Sequence, residues 1–295
     1  MMNLVAFFHA YQFTHFADEN VRKTDKKNTI DKIKALVFGI SNPRPTSKIV
    51  PKTPFEIVYL TSSKKIECWH VKVPNSKGVV AIFHGFSGSK SLMIDKSDAF
   101  NALGYNTFLV DFIGSGGSEG NQTTIGHKES QDVKTVFDYL EKQQLKQNNS
   151  NIILFGTSMG AVAILKAAET YNIKPTSAIL ECPFGTMYKT VYARFDAMNV
   201  PCFPMAGLLV FWGGIQNGFW AFSHNPQEYA KSVQFPVLLL YGEKDRDVSR
   251  EEINVMFSNF KGKKTLRTYA HAGHENYLIN YKNEWLVDIS NFIGK

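Results

Sequence analysis

The five residues Gly156-Thr157-Ser158-Met159-Gly160 lie between two segments of opposite character. Before them, Asn151-Ile152-Ile153-Leu154-Phe155 is a short apolar run of strand type. After them, Ala161-Val162-Ala163-Ile164-Leu165-Lys166-Ala167-Ala168 is rich in helix formers. A chain that passes from strand to helix in so few residues turns sharply, and the residue at the apex is strained. Glycines two positions to either side leave room for strand and helix to cross. A serine at that apex is pushed out of the sheet edge, with the unpaired N–H groups of the helix start behind it. This is the layout of a nucleophile elbow, and it presupposes a sheet with helices packed against it.

The pattern alone recurs by chance. At ordinary Gly and Ser frequencies a chain this long matches it with a probability of roughly one in ten. A second copy is indeed present, Gly116-Gly117-Ser118-Glu119-Gly120. It comes after the apolar run Thr107-Phe108-Leu109-Val110, but Asn121-Gln122-Thr123-Thr124 comes next in place of a helix. That copy reads as a glycine-rich loop, and Ser158 is the candidate nucleophile.

The rest of the chain agrees with a layered α/β fold. Phe55–Leu60 and Ile66–Val73 read as an opening antiparallel pair of strands. From Gly78 onward apolar strand-like runs appear at Val79–Phe83, Thr107–Val110, Ile152–Phe155, Ala178–Leu180 and Val237–Tyr241. Helix-like stretches such as Gln131–Leu145 and Ala161–Thr170 lie between them. Strands apolar on both faces and alternating with helices predict a mainly parallel central sheet flanked by helices, with functional residues in loops after the strand carboxyl ends. The rhythm breaks between Leu180 and Val237. Those residues, aromatic-rich and punctuated by Gly and Pro, are too many for a structureless loop. They predict a helical insertion at about residues 184–232, a lid over a lipophilic pocket; the competing reading is an extra core layer.

With 295 residues and 44% hydrophobic content, the chain can bury one large core. Residues 55–295 are read as that domain and residues 1–54 as a leader with a helix at Thr29–Phe38. Three cysteines without metal-like spacing imply neither a disulfide framework nor a zinc site, and Cys182 and Cys202 read as buried thiols. No metal or cofactor is expected. The net charge of +7 resides in residues 22–52, which hold nine Lys or Arg and two Asp, so the rest is neutral and no basic face for nucleic acid is implied. Upstream, Leu4–Phe16 is aromatic and apolar, too short and polar to span a bilayer. The protein is expected in the cytoplasm, and its leader has three readings: an arm whose aromatics pack on the domain, a patch in residues 4–52 that rests on an anionic membrane surface, or a truncated membrane anchor.

A serine hydroxyl needs a base. His271-Ala272-Gly273-His274-Glu275 offers two histidines before the helix-like stretch Asn276–Ile293, and Glu243-Lys244-Asp245-Arg246-Asp247 offers acids directly after a strand. The order Ser, then Asp, then His suits this class of sheet.

Over about residues 55–295 the chain resembles the alpha/beta-hydrolase superfamily, in particular its lidded serine esterases and lysophospholipase-like members. The resemblance rests on His84-Gly85-Phe86, Asp111 with its glycine loop, the elbow, Gly242-Glu243-Lys244-Asp245 and Gly273-His274. It implies that Ser158 is the nucleophile, Asp245 the acid and His274 the base, with Asp247 and His271 as rivals. It also implies an oxyanion hole from the backbone N–H groups of Phe86 and Met159, and a scaffold role for His84. Relatives often carry Arg after the strand ending at Asp111, where this chain has Phe112-Ile113-Gly114. The implied activity is cleavage of a small-molecule carboxylic ester, lipophilic in its acyl part. A peptidase, thioesterase or acyltransferase would use the same three residues, and a catalytically silent membrane-surface protein is the remote alternative. Oligomeric state is not legible in the sequence.

Overall fold

A computed structural model describes residues 1–17, 29–146 and 151–294. The basic run Arg22–Lys27 lies outside the described residues. Among those described, the main sheet has eight strands: β1 Phe55–Thr61, β2 Lys65–Val71, β3 Val79–Phe83, β4 Asn106–Val110, β5 Ile152–Thr157, β6 Ser177–Glu181, β7 Val237–Gly242 and β8 Lys264–Tyr269. Their spatial order is β8-β7-β6-β5-β3-β4-β2-β1. β2 runs antiparallel to its neighbours β1 and β4, and the pairings from β4 to β8 are parallel.

The apolar runs explain the layers. Val79, Ala81 and Phe83 on β3 face one core and Val80 and Ile82 the other, and β5 and β7 alternate in the same way. Helices must therefore cover both faces. α4 (Glu129–Lys146) and α5 (Met159–Tyr171) cover the first through residues such as Val136, Leu140 and Leu165. α3 (Ile94–Ala102) and a C-terminal helix at Lys282–Ile293 cover the second through Phe100, Trp285 and Ile289.

Strand order reverses beside β3: the chain leaves β3 for β4 on one side and later enters β5 on the other. In such sheets the crevice lies at the carboxyl ends of the strands flanking the reversal. The loop His84-Gly85-Phe86 comes directly after β3 and Ser158 directly after β5, so topology alone brings these two segments to one place.

Two regions stand outside this frame. The insertion between β6 and β7 is helical, with α6 (Met187–Ala197) and α7 (Met205–Gln216) as its longest elements. The leader holds α1 (Met2–Thr14) and α2 (Thr29–Phe38), and α1 packs against both α2 and α7. Within the leader Phe16–Ala17 pairs in parallel with Asn42–Pro43, and the leader is tied to the main body by the Phe16 N–H donating to the Asn121 carbonyl and the Thr123 N–H donating to the Thr14 carbonyl. Cys182 is buried, whereas Cys202 is only half-buried, because it sits in the loop entering α7 and not in a core layer. No helix among the described residues is long and apolar enough to cross a membrane.

Candidate active site

Ser158 occupies the tip of the turn between β5 and α5, with φ 51° and ψ −113°, a backbone conformation that side chains other than glycine rarely adopt. Its N–H donates to the Glu181 carbonyl on β6 at 2.8 Å, which helps hold the apex there. The flanking glycines are required by space. A Cβ on Gly156 would stand 2.5 Å from the Ala161 nitrogen, and one on Gly160 2.5 Å from the Phe83 carbonyl oxygen. Strand and helix can cross this closely only if both positions lack a side chain.

Two further loops reach the serine. His274, between β8 and the C-terminal helices, places Nε2 3.1 Å from Ser158 Oγ and Nδ1 2.8 Å from Asp245 Oδ2. Asp245 lies in the loop after β7; its side chain is fully buried, whereas that of His274 is 26% exposed. Asp245 Oδ1 accepts the N–H groups of Asp247 and Val248 at 2.8 and 2.9 Å, which fixes the carboxylate's orientation. Asp247 thus contributes a backbone donor to this arrangement, and its side chain is not hydrogen-bonded to His274. His271 is exposed on the same loop and does not join the constellation.

The Cys182 sulfur beside the His274 ring, and the Asp245 carboxylate hydrogen-bonded to it, favour the protonated ring. They outweigh the opposing effect of burial and raise its pKa above the ordinary 6.5. Asp245, Asp247 and His274 also form a group whose ligand atoms lie within 4.8 Å of one another. Both Asp245 oxygens are already engaged, one by His274 and one by two backbone N–H groups, so hydrogen bonding accounts for the cluster without a cation.

The His84-Gly85-Phe86 loop lies against the serine: a Cβ on Gly85 would stand 3.6 Å from Ser158 Cβ. His84 is fully buried. Its Nε2 accepts the Phe112 N–H at 3.2 Å, and its Nδ1 donates to the Gly85 carbonyl at 2.8 Å. This pairing demands a neutral ring, and burial lowers the His84 pKa accordingly. Among the described residues neither the Phe86 N–H nor the Met159 N–H meets an acceptor, and Met159 begins α5. Both donors are therefore open to an anion.

The second pentapeptide is built differently. Ser118 is buried; its hydroxyl donates to the Asp111 carbonyl at 2.7 Å and accepts the Glu67 N–H at 2.9 Å. Although arginine is absent after Asp111, cations hold this loop. The buried Lys90 ammonium pairs with Asp111 and, at 2.8 Å, with Glu67. Arg44 of the leader donates to the carbonyls of Gly116, Ser118 and Gly120.

Some neighbours escape a sequence reading. Phe13 of α1 stacks on Phe86 with ring centroids 4.6 Å apart, and the Arg194 guanidinium of α6 lies 4.6 Å from the Phe13 ring and 5.6 Å from Phe86. Behind the serine, buried Glu181 accepts from Trp285 Nε1 at 2.6 Å and from Thr157 Oγ1 at 3.1 Å, and it pairs with Lys96 at 3.4 Å. Lys96 in turn donates to Asn276, two residues past His274. One signal for this network was legible, a carboxylate directly after the apolar run Ala178–Leu180. Its partners are distant in sequence.

A mostly parallel eight-stranded sheet, a strained serine at its carboxyl edge and an insertion after β6 together define the class: the chain has the alpha/beta-hydrolase fold. Residues 74–212 match the family described as serine aminopeptidase, S33. The chain is similar to YqkD of Bacillus subtilis, 23% identical over 231 residues that make up 77% of this chain and 75% of that one. Its fold is similar to that of the esterase Pf2001 of Pyrococcus furiosus, with TM-score 0.71 and 22% identity over 85% of this chain and 96% of the esterase. It is also similar to an esterase of Exiguobacterium antarcticum, with TM-score 0.61 and 18% identity over 81% and 100% of the two chains.

Proposed function

We propose that the protein is a serine hydrolase of carboxylic esters, with Ser158 as nucleophile, His274 as base and Asp245 as the acid that orients it. The observation that carries this reading is the continuous hydrogen-bonded path Ser158 Oγ–His274 Nε2, His274 Nδ1–Asp245 Oδ2, at 3.1 and 2.8 Å. Neutral His274 takes the Ser158 proton as the oxygen attacks the acyl carbonyl. Asp245 fixes the tautomer that leaves Nε2 free and stabilises the imidazolium once formed. The N–H groups of Phe86 and Met159, with the start of α5 behind them, receive the oxyanion. In comparable sites each such donor is worth roughly 3 kcal/mol. His274 then gives its proton to the leaving alcohol, and water repeats the sequence on the acyl-enzyme.

A lipophilic acyl group fits the surroundings. The insertion has no charged residue between Asp196 and Glu228, and α6 reaches the Phe86 loop through Arg194, as a lid would. The same reading puts the enzyme at a membrane surface, held by the apolar faces of α1 and α7. A second reading, peptide-bond cleavage, draws support from the serine aminopeptidase description of the matching family. A panel of p-nitrophenyl esters graded by acyl length, with thioester and anilide analogues, separates the two. Esters are expected to be turned over fastest, the rate rising with acyl length from acetate. Anilides cleaved faster than esters would favour the peptidase, and full ester turnover by Ser158→Ala would overturn both.

A further inference from the structure

Two of the described helices carry no charged residue on any face yet are fully buried along only a single stripe. In α7, Met-Ala-Gly-Leu-Leu-Val-Phe-Trp-Gly-Gly-Ile-Gln, only Ala206, Val210 and Gly214 are buried; in α1 only Ala6, Ala10 and Thr14 are. A helix apolar on every face belongs inside a protein or in contact with lipid. Here the two pack on each other, α1 also packs on α2 and α7 on α6, and most of their other residues are only part-buried. The sequence around them is as unusual as their burial. Residues 1–17 contain no Lys, Arg, Asp or Glu, and neither do residues 197–227. At the chain's 20% charged content, a stretch of 31 residues would carry about six charges.

The exposed apolar groups form one surface. Ring contacts run unbroken from Phe38 on α2 through Phe8 and Phe7 on α1 to Trp212 on α7, in steps of 5.0, 5.6 and 5.2 Å. They continue through Phe211 to Trp220 in steps of 5.2 and 6.2 Å. Around this path Phe203 is 86% exposed, Leu36 72% and Trp220 55%. Contiguous apolar surface of this kind marks an interaction site, and Trp is favoured where apolar and wet phases meet.

Charge identifies the occupant. Arg22, Lys23, Lys26 and Lys27 lie in the chain that joins α1 to α2, both of which contribute to the apolar surface, and the whole net charge of +7 falls within residues 22–52. A second copy of this protein would meet the first with the same net charge of +7. An anionic bilayer would offset that charge while accepting the aromatic side chains at headgroup depth. We infer that α1, α2 and α7 form a docking face for an anionic lipid bilayer. The leader and the insertion that carry this face also touch the candidate site through Phe13 and Arg194, so docking sets that site beside the lipid.

Co-sedimentation of the full-length protein with phosphatidylcholine vesicles, with and without phosphatidylglycerol, tests this. Binding is expected only with phosphatidylglycerol, about tenfold weaker at high salt than at low. Trp69 and Trp285 are buried, so a blue shift of tryptophan fluorescence on binding reports Trp212 and Trp220. The combined variant Phe203→Ser, Ile215→Ser and Trp220→Ser changes residues that are exposed in the free protein, and is expected to bind at least tenfold less. Lys23→Gln, Lys26→Gln and Lys27→Gln together should lose a similar factor on phosphatidylglycerol vesicles. Ser158→Ala should bind like the wild type, which separates docking from catalysis. Wild-type protein that stays in the supernatant at low salt, binds both vesicle types equally, or forms a dimer abolished by the combined Phe203, Ile215 and Trp220 variant would overturn the inference.

Discussion

Two serines of this chain sit in the same Gly-x-Ser-x-Gly pattern, and the fold puts them to opposite uses. At Ser158 the strain lies on the serine, at φ 51°, while Gly156 and Gly160 serve by having no side chain where β5, α5 and the end of β3 meet. At Ser118 the positive φ falls on the glycines, Gly116 at 51° and Gly120 at 87°, which adopt it without strain, and the serine is buried. The Ser158 hydroxyl meets an imidazole nitrogen; the Ser118 hydroxyl bridges two backbone groups. The pentapeptide therefore specifies small residues around a turn. The element that comes next in the chain, a helix after Ser158 and a loop after Ser118, decides whether the serine meets an imidazole at the sheet edge or is buried as a strut.

Replacing each serine by alanine tests that contrast most strongly. Ser158→Ala should lower kcat by about 10^4-fold or more with little change in stability. Ser118→Ala should leave kcat within a few fold but lower stability by about 1–3 kcal/mol, because the Glu67 N–H and Asp111 carbonyl lose their bridge. Equal losses of activity in the two would erase the distinction. Next in size is Asp245→Asn, expected to cost about 10^4-fold in kcat by destabilising the useful tautomer of His274. Asp247→Asn should stay within about tenfold, since its backbone N–H makes the contact. Among the glycines, Gly160→Ala should cost about 2–3 kcal/mol and most of the activity, because its Cβ would press on Phe83 and His84 beside the Phe86 loop. Gly120→Ala, strained by its positive φ and crowded by Ile113 Cγ2 at 3.1 Å, should cost about 1–2 kcal/mol and leave turnover intact.

The smallest effect is on pH dependence. In the proposed mechanism His274 acts as a base only when neutral, and its pKa is raised above 6.5 by Cys182 and Asp245. kcat/KM should therefore rise with pH along a limb centred above 6.5, and Cys182→Ala should move that limb downward. The stability that the charged ring contributes has the opposite trend. It is complete below the unfolded value near 6.5 and lost as pH climbs through the folded one. An activity limb at or below 6.5 in the wild type would contradict the assigned environment.

Sequence periodicity revealed the buried frame and missed its margins. β3, β5, β6 and β7 were legible because both faces are covered, leaving continuous apolar runs. β8, Lys264-Thr265-Leu266-Arg267-Thr268-Tyr269, was not legible, because this half-exposed edge strand is polar at four of its six positions and has neither an apolar run nor a strict alternation. α2 was readable from its pattern and Gly39. α1 was read as an aromatic patch because it carries no acid in its first turn, no base in its last and no amphipathic period. In the candidate site, Ser158 and Asp245 could be singled out because each comes after a legible strand in a short local motif, and His274 because Gly273-His274 precedes a helix-like stretch. The stacking of Phe13 and Arg194 on Phe86 could not, since three segments far apart in sequence meet there and no local pattern encodes a tertiary contact.

The central claim is that Ser158, and not its twin, is the reactive serine. Intact-mass and peptide analysis after treatment with a fluorophosphonate reads this directly. One adduct per chain is expected, on the peptide containing Ser158, lost in Ser158→Ala and retained in Ser118→Ala. An unlabelled wild type, or an adduct that persists in Ser158→Ala, would contradict the claim.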